Sequence, residues 1–428
     1  MKLIIKNKVF SGALQFTIFI GVVIALILAG LVLLQNTHNF FIDQSKATVE
    51  NIQLATSGIN YLLKEENQTS DTITLKDLSE ENQMVQVHLS HWGIFEKAIV
   101  KTTHRKKIFY KCALLGTQME SNIRPTLYLQ DTYKPLVVVG KTILKGTVFL
   151  PNQGINPGYI AGESFYGQEL IQGVTKSSGL FLPKLRNTYA EQLKLYFLNN
   201  KFNQEEFIGE NDLVEASNSF LKQTKVFYKS GMIELNNNKF SGNIIIKSDE
   251  LIRIKKTSQL KDVLIIAPIV ELEDGVKGNF QVIASKKITI GKDCKLNYPS
   301  ALVLIEDEEK QQLLSNSQPD DYRITIDKNS EIKGTICYLR SVKENDFKTQ
   351  LFLDENSAVK GEVYCQGNFA LKGKVVGSVY TNQFVVNAAG SIFINHIYNG
   401  QIVDDNFPES FCGILFEDSK KGIAKWMY

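Results

Sequence analysis

The side chains best suited to catalysis or metal binding are few and scattered in this sequence. Among 428 residues there are five histidines. Two of them, His88 and His91, are three residues apart in a stretch that alternates apolar and polar residues. Such a stretch is typical of a strand, where positions i and i+3 point to opposite faces. The sequence therefore predicts no metal site at this pair, and it predicts no bound cofactor.

The five cysteines are too few and too widely spaced for a disulfide framework or a Cys-x-x-Cys motif. An odd number leaves at least one thiol unpaired. Cys337 and Cys365 follow equivalent positions of an internal repeat, one place out of register. A bridge between them is the alternative, and buried small apolar side chains are the main prediction. The cysteines are Cys112, Cys294, Cys337, Cys365 and Cys412.

Motifs for nucleophilic or phosphate chemistry are also missing. The sequence has no Gly-x-Ser-x-Gly and no phosphate-binding loop. A polysaccharide-cleaving β-helix needs carboxylates aligned on neighbouring coils, whereas the pairs Asp320-Asp321 and Asp404-Asp405 fall in predicted loops or near the end. We therefore predict a protein that is not an enzyme, with a polysaccharide-active enzyme as the third alternative.

The charge balance argues against a nucleic-acid-binding protein. The chain has 48 Lys+Arg against 45 Asp+Glu. Three of the lysines are Lys2, Lys6 and Lys8, so the remainder is electrically balanced. Nucleic-acid binding requires a clustered basic surface. The 43% hydrophobic content is enough to build a folded core.

The strongest single feature is an apolar segment near the N-terminus. Residues 13–34 would span about 33 Å as a helix, which is enough for a bilayer core of about 30 Å. No Ala-x-Ala site follows the segment, so we predict a retained anchor rather than a cleaved signal peptide. The three lysines before it place the short N-terminal flank in the cytoplasm. The chain would cross a bacterial inner membrane once, with its bulk in the periplasm or outside the cell.

The helical pattern continues beyond the apolar segment. Val49, Ile52, Ile59 and Leu63 recur at a spacing that predicts one apolar face of an amphipathic helix. No proline precedes Pro125 to interrupt it. We predict one helix over residues 13–64, followed by a small antiparallel β-meander within 67–125.

Residues 5–66 resemble the N-terminal part of type IV pilins and pseudopilins. The resemblance lies in a short basic leader ending at Gly12 and a long helix with an apolar first half and an amphipathic second half over 35–66. It implies cleavage of the leader 1–12 after Gly12, with Ala13 as the mature N-terminus. That family usually has Glu at the fifth mature position, where this chain has Thr17. The resemblance therefore implies a minor subunit of a pilus or type II secretion-like machine, with protein partners in the envelope.

Two other functions stay open at this point. A plain signal anchor could hold a surface adhesin or a glycan-binding protein, because aromatic residues such as Phe165, Tyr166, Tyr228 and Phe347 fall in or near predicted loops. The expected partners are thus the lipid bilayer, envelope proteins and, in the alternative, a glycan. Nucleic acid is not expected.

The second half of the chain contains a degenerate repeat of an apolar residue, often Lys, then Gly, any residue and an apolar pair. Short strands divided by single glycines predict a parallel β-helix, with an antiparallel sandwich as the alternative. In its Lys-Gly corners and strand lengths this region resembles the bactofilin-type β-helices. The predicted corner residues are Gly146, Gly242, Gly278, Gly334, Gly361 and Gly377.

The predicted fold class is mainly β with one long N-terminal helix. We expect a first solenoid-like stretch at 126–183, a helical insertion at 184–239, the main β-solenoid at 240–402 and a C-terminal cap at 403–428. A second short helix or a loop is expected at 211–224 within the insertion.

Overall fold

A computed structural model describes residues 12–64, 71–78, 83–105, 107–119, 123–186, 189–198, 207–208, 214–306, 322–340, 347–404, 407–417 and 419–427. The basic leader before Gly12, Asp320-Asp321 and Asp405 lie outside the described residues. The helices are α1 (Gly12–Lys64), a short 3-10 turn (Lys76–Leu78) and α2 (Tyr189–Leu198). The strands of the first part are β1 (Ile73–Thr74), β2 (Gln83–Trp92), β3 (Phe95–His104), β4 (Lys107–Gln118), β5 (Leu127–Leu129), β6 (Leu136–Val139), β7 (Ile143–Leu150), β8 (Ile155–Pro157), β9 (Tyr159–Ile160), β10 (Glu163–Ser164) and β11 (Gln172–Ser177).

The remaining strands follow the second helix. They are β12 (Glu215–Asn218), β13 (Lys225–Lys229), β14 (Ile233–Leu235), β15 (Lys239–Gly242), β16 (Ile244–Ser248), β17 (Leu251–Ile254), β18 (Gln259–Leu272), β19 (Lys277–Ile290), β20 (Lys295–Ile305), β21 (Arg323–Ile326), β22 (Glu331–Leu339), β23 (Leu351–Leu353), β24 (Ala358–Leu371), β25 (Lys374–Ala388), β26 (Ser391–Ile394), β27 (His396–Tyr398), β28 (Gln401–Val403), β29 (Cys412–Gly413) and β30 (Lys421–Met427). The chain is therefore mainly β with one long N-terminal helix, as the sequence predicted.

The helix α1 runs without interruption from the apolar segment into the folded part of the chain. Its apolar window has a mean hydropathy of 3.0, and none of that window is buried in the structure. It is long and apolar enough to cross a bilayer. The second half of α1 packs on an antiparallel sheet of β1 to β4, to which β29 and β30 add along β4. The C-terminal residues, expected to cap the solenoid, thus contribute two strands to the meander sheet.

The face that α1 turns to the sheet differs from the predicted stripe. Val49 and Ile52 are 53% and 41% exposed, so that stripe was wrong in its first half. The contact instead uses small residues, because the sheet approaches the helix closely. A Cβ on Gly58 would lie 2.6 Å from Cγ1 of Val100. The buried residues of the helix are Ala47, Asn51, Ala55, Gly58, Ile59 and Leu62.

The region from β12 to β25 is a parallel β-helix, not an antiparallel sandwich. Successive coils pair in parallel, for example β18 with β19 and β22 with β24. Their inward side chains form one continuous aliphatic core. In this part of the chain the antiparallel exception is the hairpin of β25 and β26.

The two stretches of solenoid form a single stack. Residues 374–376 of β25 pair with β28, and residues 379–381 pair with β5. The two strands together complete one coil, although more than half of the chain separates them. The next coils are formed by β6 with β7 and by β8 with β11. The first stretch therefore continues the far end of the second.

The predicted helical insertion is shorter than expected. It contains the ten-residue helix α2, while β12, β13 and β14 form the first coil of the stack. Residues 214–224, where a second short helix or a loop was expected, hold a strand and a turn, and residues 211–213 lie outside the described part. The short strands here bury Val226, Ile233 and Leu235, and they stack in parallel on the next coil.

Five of the six predicted corner glycines have a left-handed backbone. Their φ values are +127° for Gly146, +87° for Gly242, +148° for Gly334, +155° for Gly361 and +131° for Gly377. Gly278 lacks a positive φ. Its Cβ would still lie 2.7 Å from the Phe280 ring and 3.0 Å from the carbonyl oxygen of Leu260. Only glycine adopts the positive φ values of the other five corners at little cost.

Candidate functional site

The meander sheet lies between α1 and the β-helix. One face packs on α1 through Ile59, Val85 and Val100. The other face packs on an outer side of the coils through Trp92, Phe95 and neighbouring apolar residues. The helix α2 and the C-terminal segment cover the same side of the coils. The anchor helix is thus joined to the solenoid through the meander sheet, which has a separate apolar cluster on each face.

A buried glutamine fixes the turn between β2 and β3 to the solenoid. The backbone N–H of Ile94 donates to Oε1 of Gln281 at 2.9 Å. Nε2 of Gln281 donates to the carbonyl oxygen of Trp92 at 3.0 Å. Gln281 is buried, so both of these hydrogen bonds are shielded from water and hold the two layers in register.

A buried ion pair joins three separate segments at this interface. The side chain of Glu96 on β3 is fully buried, and Nζ of Lys421 on β30 lies 2.6 Å from its Oε2. Nη1 of Arg186 lies 3.5 Å from the other oxygen, Oε1. Burying a carboxylate is costly unless cations compensate it. The three side chains therefore depend on one another for their position.

A second buried carboxylate holds the C-terminal segment on the coils. Oε2 of Glu362 on β24 accepts a hydrogen bond from the backbone N–H of Ile414 at 2.7 Å. Burial raises the pKa of Glu362 to about 7, against the opposing effects of this hydrogen bond and of Arg124. Burial, with the charge of Glu362 as a lesser cause, raises the pKa of the thiols of Cys337 and Cys412 and of the phenols of Tyr189, Tyr298, Tyr364 and Tyr380.

Glu362→Gln is expected to flatten the pH dependence of stability. The pKa in the folded state exceeds the ordinary value of 4.5, so the folded state holds a proton that the unfolded state has lost. Stability from this group is present below about pH 4.5 and is lost as the pH rises to 7. The loss amounts to roughly 3 kcal/mol, from 1.36 kcal/mol for each pKa unit. Thermal unfolding of the wild type and the variant between pH 4.5 and 8 measures the difference.

The control for this measurement is Glu355→Gln, which replaces an exposed carboxylate paired with Lys328 at 2.9 Å. It should leave the slope of melting temperature against pH between 5 and 7 as in the wild type. Parallel pH profiles for the wild type and Glu362→Gln would show that Glu362 does not titrate in this range.

All five cysteines are buried free thiols. Cys337 pairs in register with Tyr364 and Cys365 with Tyr338, so the two thiols point to opposite sides of the sheet. Cys365 belongs to the inner core and Cys337 to the outer apolar layer. Burial raises the pKa of Cys112, Cys365 and Cys412 to about 12 in each case, which keeps them protonated.

The histidines are held apart by the fold. His88 pairs with Ile99 and His91 with Glu96 across β2 and β3, which places their side chains on opposite faces. Burial lowers the pKa of both. His104 lies 3.0 Å from the carboxylate of Glu50. Among the described residues, no group of three His, Cys, Asp or Glu side chains is arranged to hold a metal ion.

A column of aromatic rings follows one side of the coils and ends in an open groove. Tyr364, Tyr380, Tyr128 and Phe149 occupy successive register positions. The first two are buried, and the last two are half-buried and stacked with centroids 5.5 Å apart. The groove beside them has a volume of about 550 Å³ and a rim that includes Phe416. Tyr128, Phe149 and Tyr380 all line this groove.

The residues of the predicted processing site lie at the exposed start of α1. Gly12 is its first residue, and a Cβ there would meet nothing within 4 Å. Ala13 is exposed, and Oγ1 of Thr17 donates to the carbonyl oxygen of Leu14 at 2.9 Å. The Thr17 hydroxyl therefore bonds within its own helix.

No protein-family model and no curated protein matches the sequence. Among solved structures, the competence-associated pilin ComZ from Thermus thermophilus aligns over 89% of this chain and 97% of its own. The identity is 9% and the TM-score is 0.23. At these values the alignment does not establish a common fold.

Proposed function

We propose that this protein is a single-pass membrane-anchored structural subunit, a minor pilin-like component of a pilus or secretion-like assembly. The observation that carries the proposal is α1. Its apolar half is wholly exposed, while its second half is packed on the meander sheet. One unbroken helix thus connects a surface that water disfavours to the folded domain.

The role that we propose is structural rather than catalytic. The buried polar side chains at the interface, Glu96, Lys421, Gln281 and Glu362, each bridge two separate parts of the chain. Gln281 and Glu362 join the β-helix to the meander sheet and its C-terminal segment, and Glu96 with Lys421 joins two strands of that sheet. In the proposed arrangement the solenoid is the part displayed beyond the membrane.

The anchor is tested by placing two lysines in the middle of the apolar half. Ile24→Lys with Leu28→Lys should remove the protein from the membrane fraction, because each lysine costs about 2.5–3.5 kcal/mol at the bilayer centre. The matched control is Val49→Lys with Ile52→Lys, two exposed positions further along α1, which should leave the protein in the membrane. Membrane fractions are washed with high salt and blotted. Wild-type protein released by salt without detergent contradicts the anchor.

Two further measurements test the orientation of the chain in intact cells and the processing of its N-terminus. A reporter active only outside the cytoplasm, fused after Tyr428, should be active. N-terminal sequencing should find Ala13 if the leader is cut as in pilins. An intact Met1 would remove the pilin-like assembly and leave a permanently anchored surface protein.

A further inference from the structure

One outer side of the β-helix carries a lysine from each of seven consecutive coils. Lys239, Lys277, Lys295 and Lys374 lie on one outward column of the parallel register. Lys261, Lys333 and Lys360 lie two residues further along their strands, on the next outward column. We call these seven residues the lysine row.

The row is open to solvent and only partly neutralised. Lys239, Lys261, Lys277, Lys295 and Lys360 are exposed, and Lys333 and Lys374 are half-buried. Within the row, Glu331 lies 2.6 Å from Lys360 and 3.9 Å from Lys333. Asp262 beside it is paired with Lys425. Glu215 on the same column lies 3.5 Å from Lys239. Among the described residues, two carboxylates thus accompany seven lysines, which leaves an excess of positive charge on a protein with a formal net charge of only +3.

On another side of the coils, three cations lie against anions of the neighbouring coil, while Lys287 is in register with Arg323. Arg253 is 2.8 Å from Glu271, Lys255 is 2.9 Å from Glu234, and Lys328 is 2.9 Å from Glu355. Stacking like charges on adjacent strands is unfavourable. In the lysine row, Lys277 is in register with Lys295 and Lys333 with Lys360, so the row retains a repulsion that a bound anionic ligand would relieve.

We propose that the lysine row binds a linear acidic polysaccharide with one carboxylate per sugar. This inference goes beyond the structural role and does not depend on it. Coils of a β-helix repeat at the strand spacing of about 4.8 Å. An extended hexuronate chain along the solenoid axis would present a carboxylate at a comparable repeat, one for each lysine.

The spacing of the row favours a polymer with one charge per sugar over duplex nucleic acid. All seven cations are lysines, which pair as point charges with carboxylates and phosphates alike. Duplex DNA also carries one charge per about 1.7 Å, which is much denser than one lysine per coil. Arg253 and Arg323 lie on other columns of the same β-helix.

The test is binding of polygalacturonate to the full-length protein in detergent micelles. The triple variant Lys261→Gln, Lys277→Gln, Lys295→Gln should bind roughly tenfold more weakly, since three exposed ion pairs are removed. The matched control is Lys229→Gln, Lys256→Gln, Lys292→Gln, three exposed lysines outside the row with the same change in net charge. The control should bind within about twofold of the wild type. Circular dichroism checks that each variant is folded.

Three further polymers decide between outcomes. Neutral dextran should not bind, and single-stranded and duplex DNA should bind more weakly than polygalacturonate at equal salt. The proposal is overturned if polygalacturonate binds no better than dextran, or if DNA binds more tightly. It is also overturned if both triple variants lose affinity equally, which would indicate net charge alone.

Discussion

Gly361→Ala is expected to lower the free energy of unfolding by about 3 kcal/mol or more. The added Cβ would lie 1.8 Å from the carbonyl oxygen of Gly334 on the neighbouring coil, and φ at this position is +155°. A backbone atom in a ladder of parallel strands cannot move aside as a flexible side chain can. Thermal or denaturant unfolding of the full chain in detergent, followed by circular dichroism, measures the loss.

The matched control separates the steric contact from the backbone angle. Gly275 also has a positive φ, +77°, but a Cβ there would meet nothing within 4 Å. Gly275→Ala should therefore cost only about 1–2 kcal/mol, the cost of a left-handed residue. Equal losses of stability at the two glycines would show that contact between the coils is not the reason why Gly361 excludes a side chain.

Lys421→Met is expected to destabilise the protein by about 3–5 kcal/mol, the range for breaking one partner of a buried pair. Methionine preserves the volume of the side chain but removes the closer cation from the carboxylate of Glu96. Arg186, at 3.5 Å, stays beside that carboxylate. The loss should loosen the attachment of β30 to the rest of the meander sheet. Limited proteolysis of the C-terminal segment, alongside unfolding curves, detects both effects.

The double variant Glu96→Gln with Lys421→Met is the control, because it removes the stranded charge. It should recover a substantial part of the lost stability, since replacing both charges of a buried pair is often nearly neutral. A cost of less than about 1 kcal/mol for Lys421→Met would mean that water reaches Glu96 and that the pair does not hold β30 in the sheet.

The sequence predicted the local elements better than their partners. Helix α1 was predicted at 13–64 and found at Gly12–Lys64, because an unbroken apolar run without proline allows little else. Its contact face was mispredicted, since hydrophobicity marked Val49 and Ile52 whereas the close approach of the sheet selects Gly58 and Ala55. Close packing of backbones rewards small side chains, which a hydrophobic pattern does not register.

Pairing between strands that are distant in the chain could not be predicted from the sequence for a different reason. The repeat indicated parallel coils, but pairing of Val379 with Leu127 joins residues more than 250 positions apart, and no local pattern encodes it. The lysine row was missed for the same cause. Lys277 and Lys295 are ordinary exposed residues until the register places them side by side. The balanced total charge concealed a local excess.

The coil that β28 and β5 complete together has a consequence for biosynthesis. Residues 127–129 are synthesised long before residues 401–403, yet both pair with the same strand, β25. Until the ribosome has passed residue 403, β5 and the two coils beyond it lack the end of the stack on which they rest. Strand pairing of such high sequence separation is slow, and unpaired strand edges are prone to aggregate in the meantime. A prematurely terminated chain that lacks β25 and β28 would therefore leave β5 and β7 without strands with which they pair. Such a product could not complete the stack.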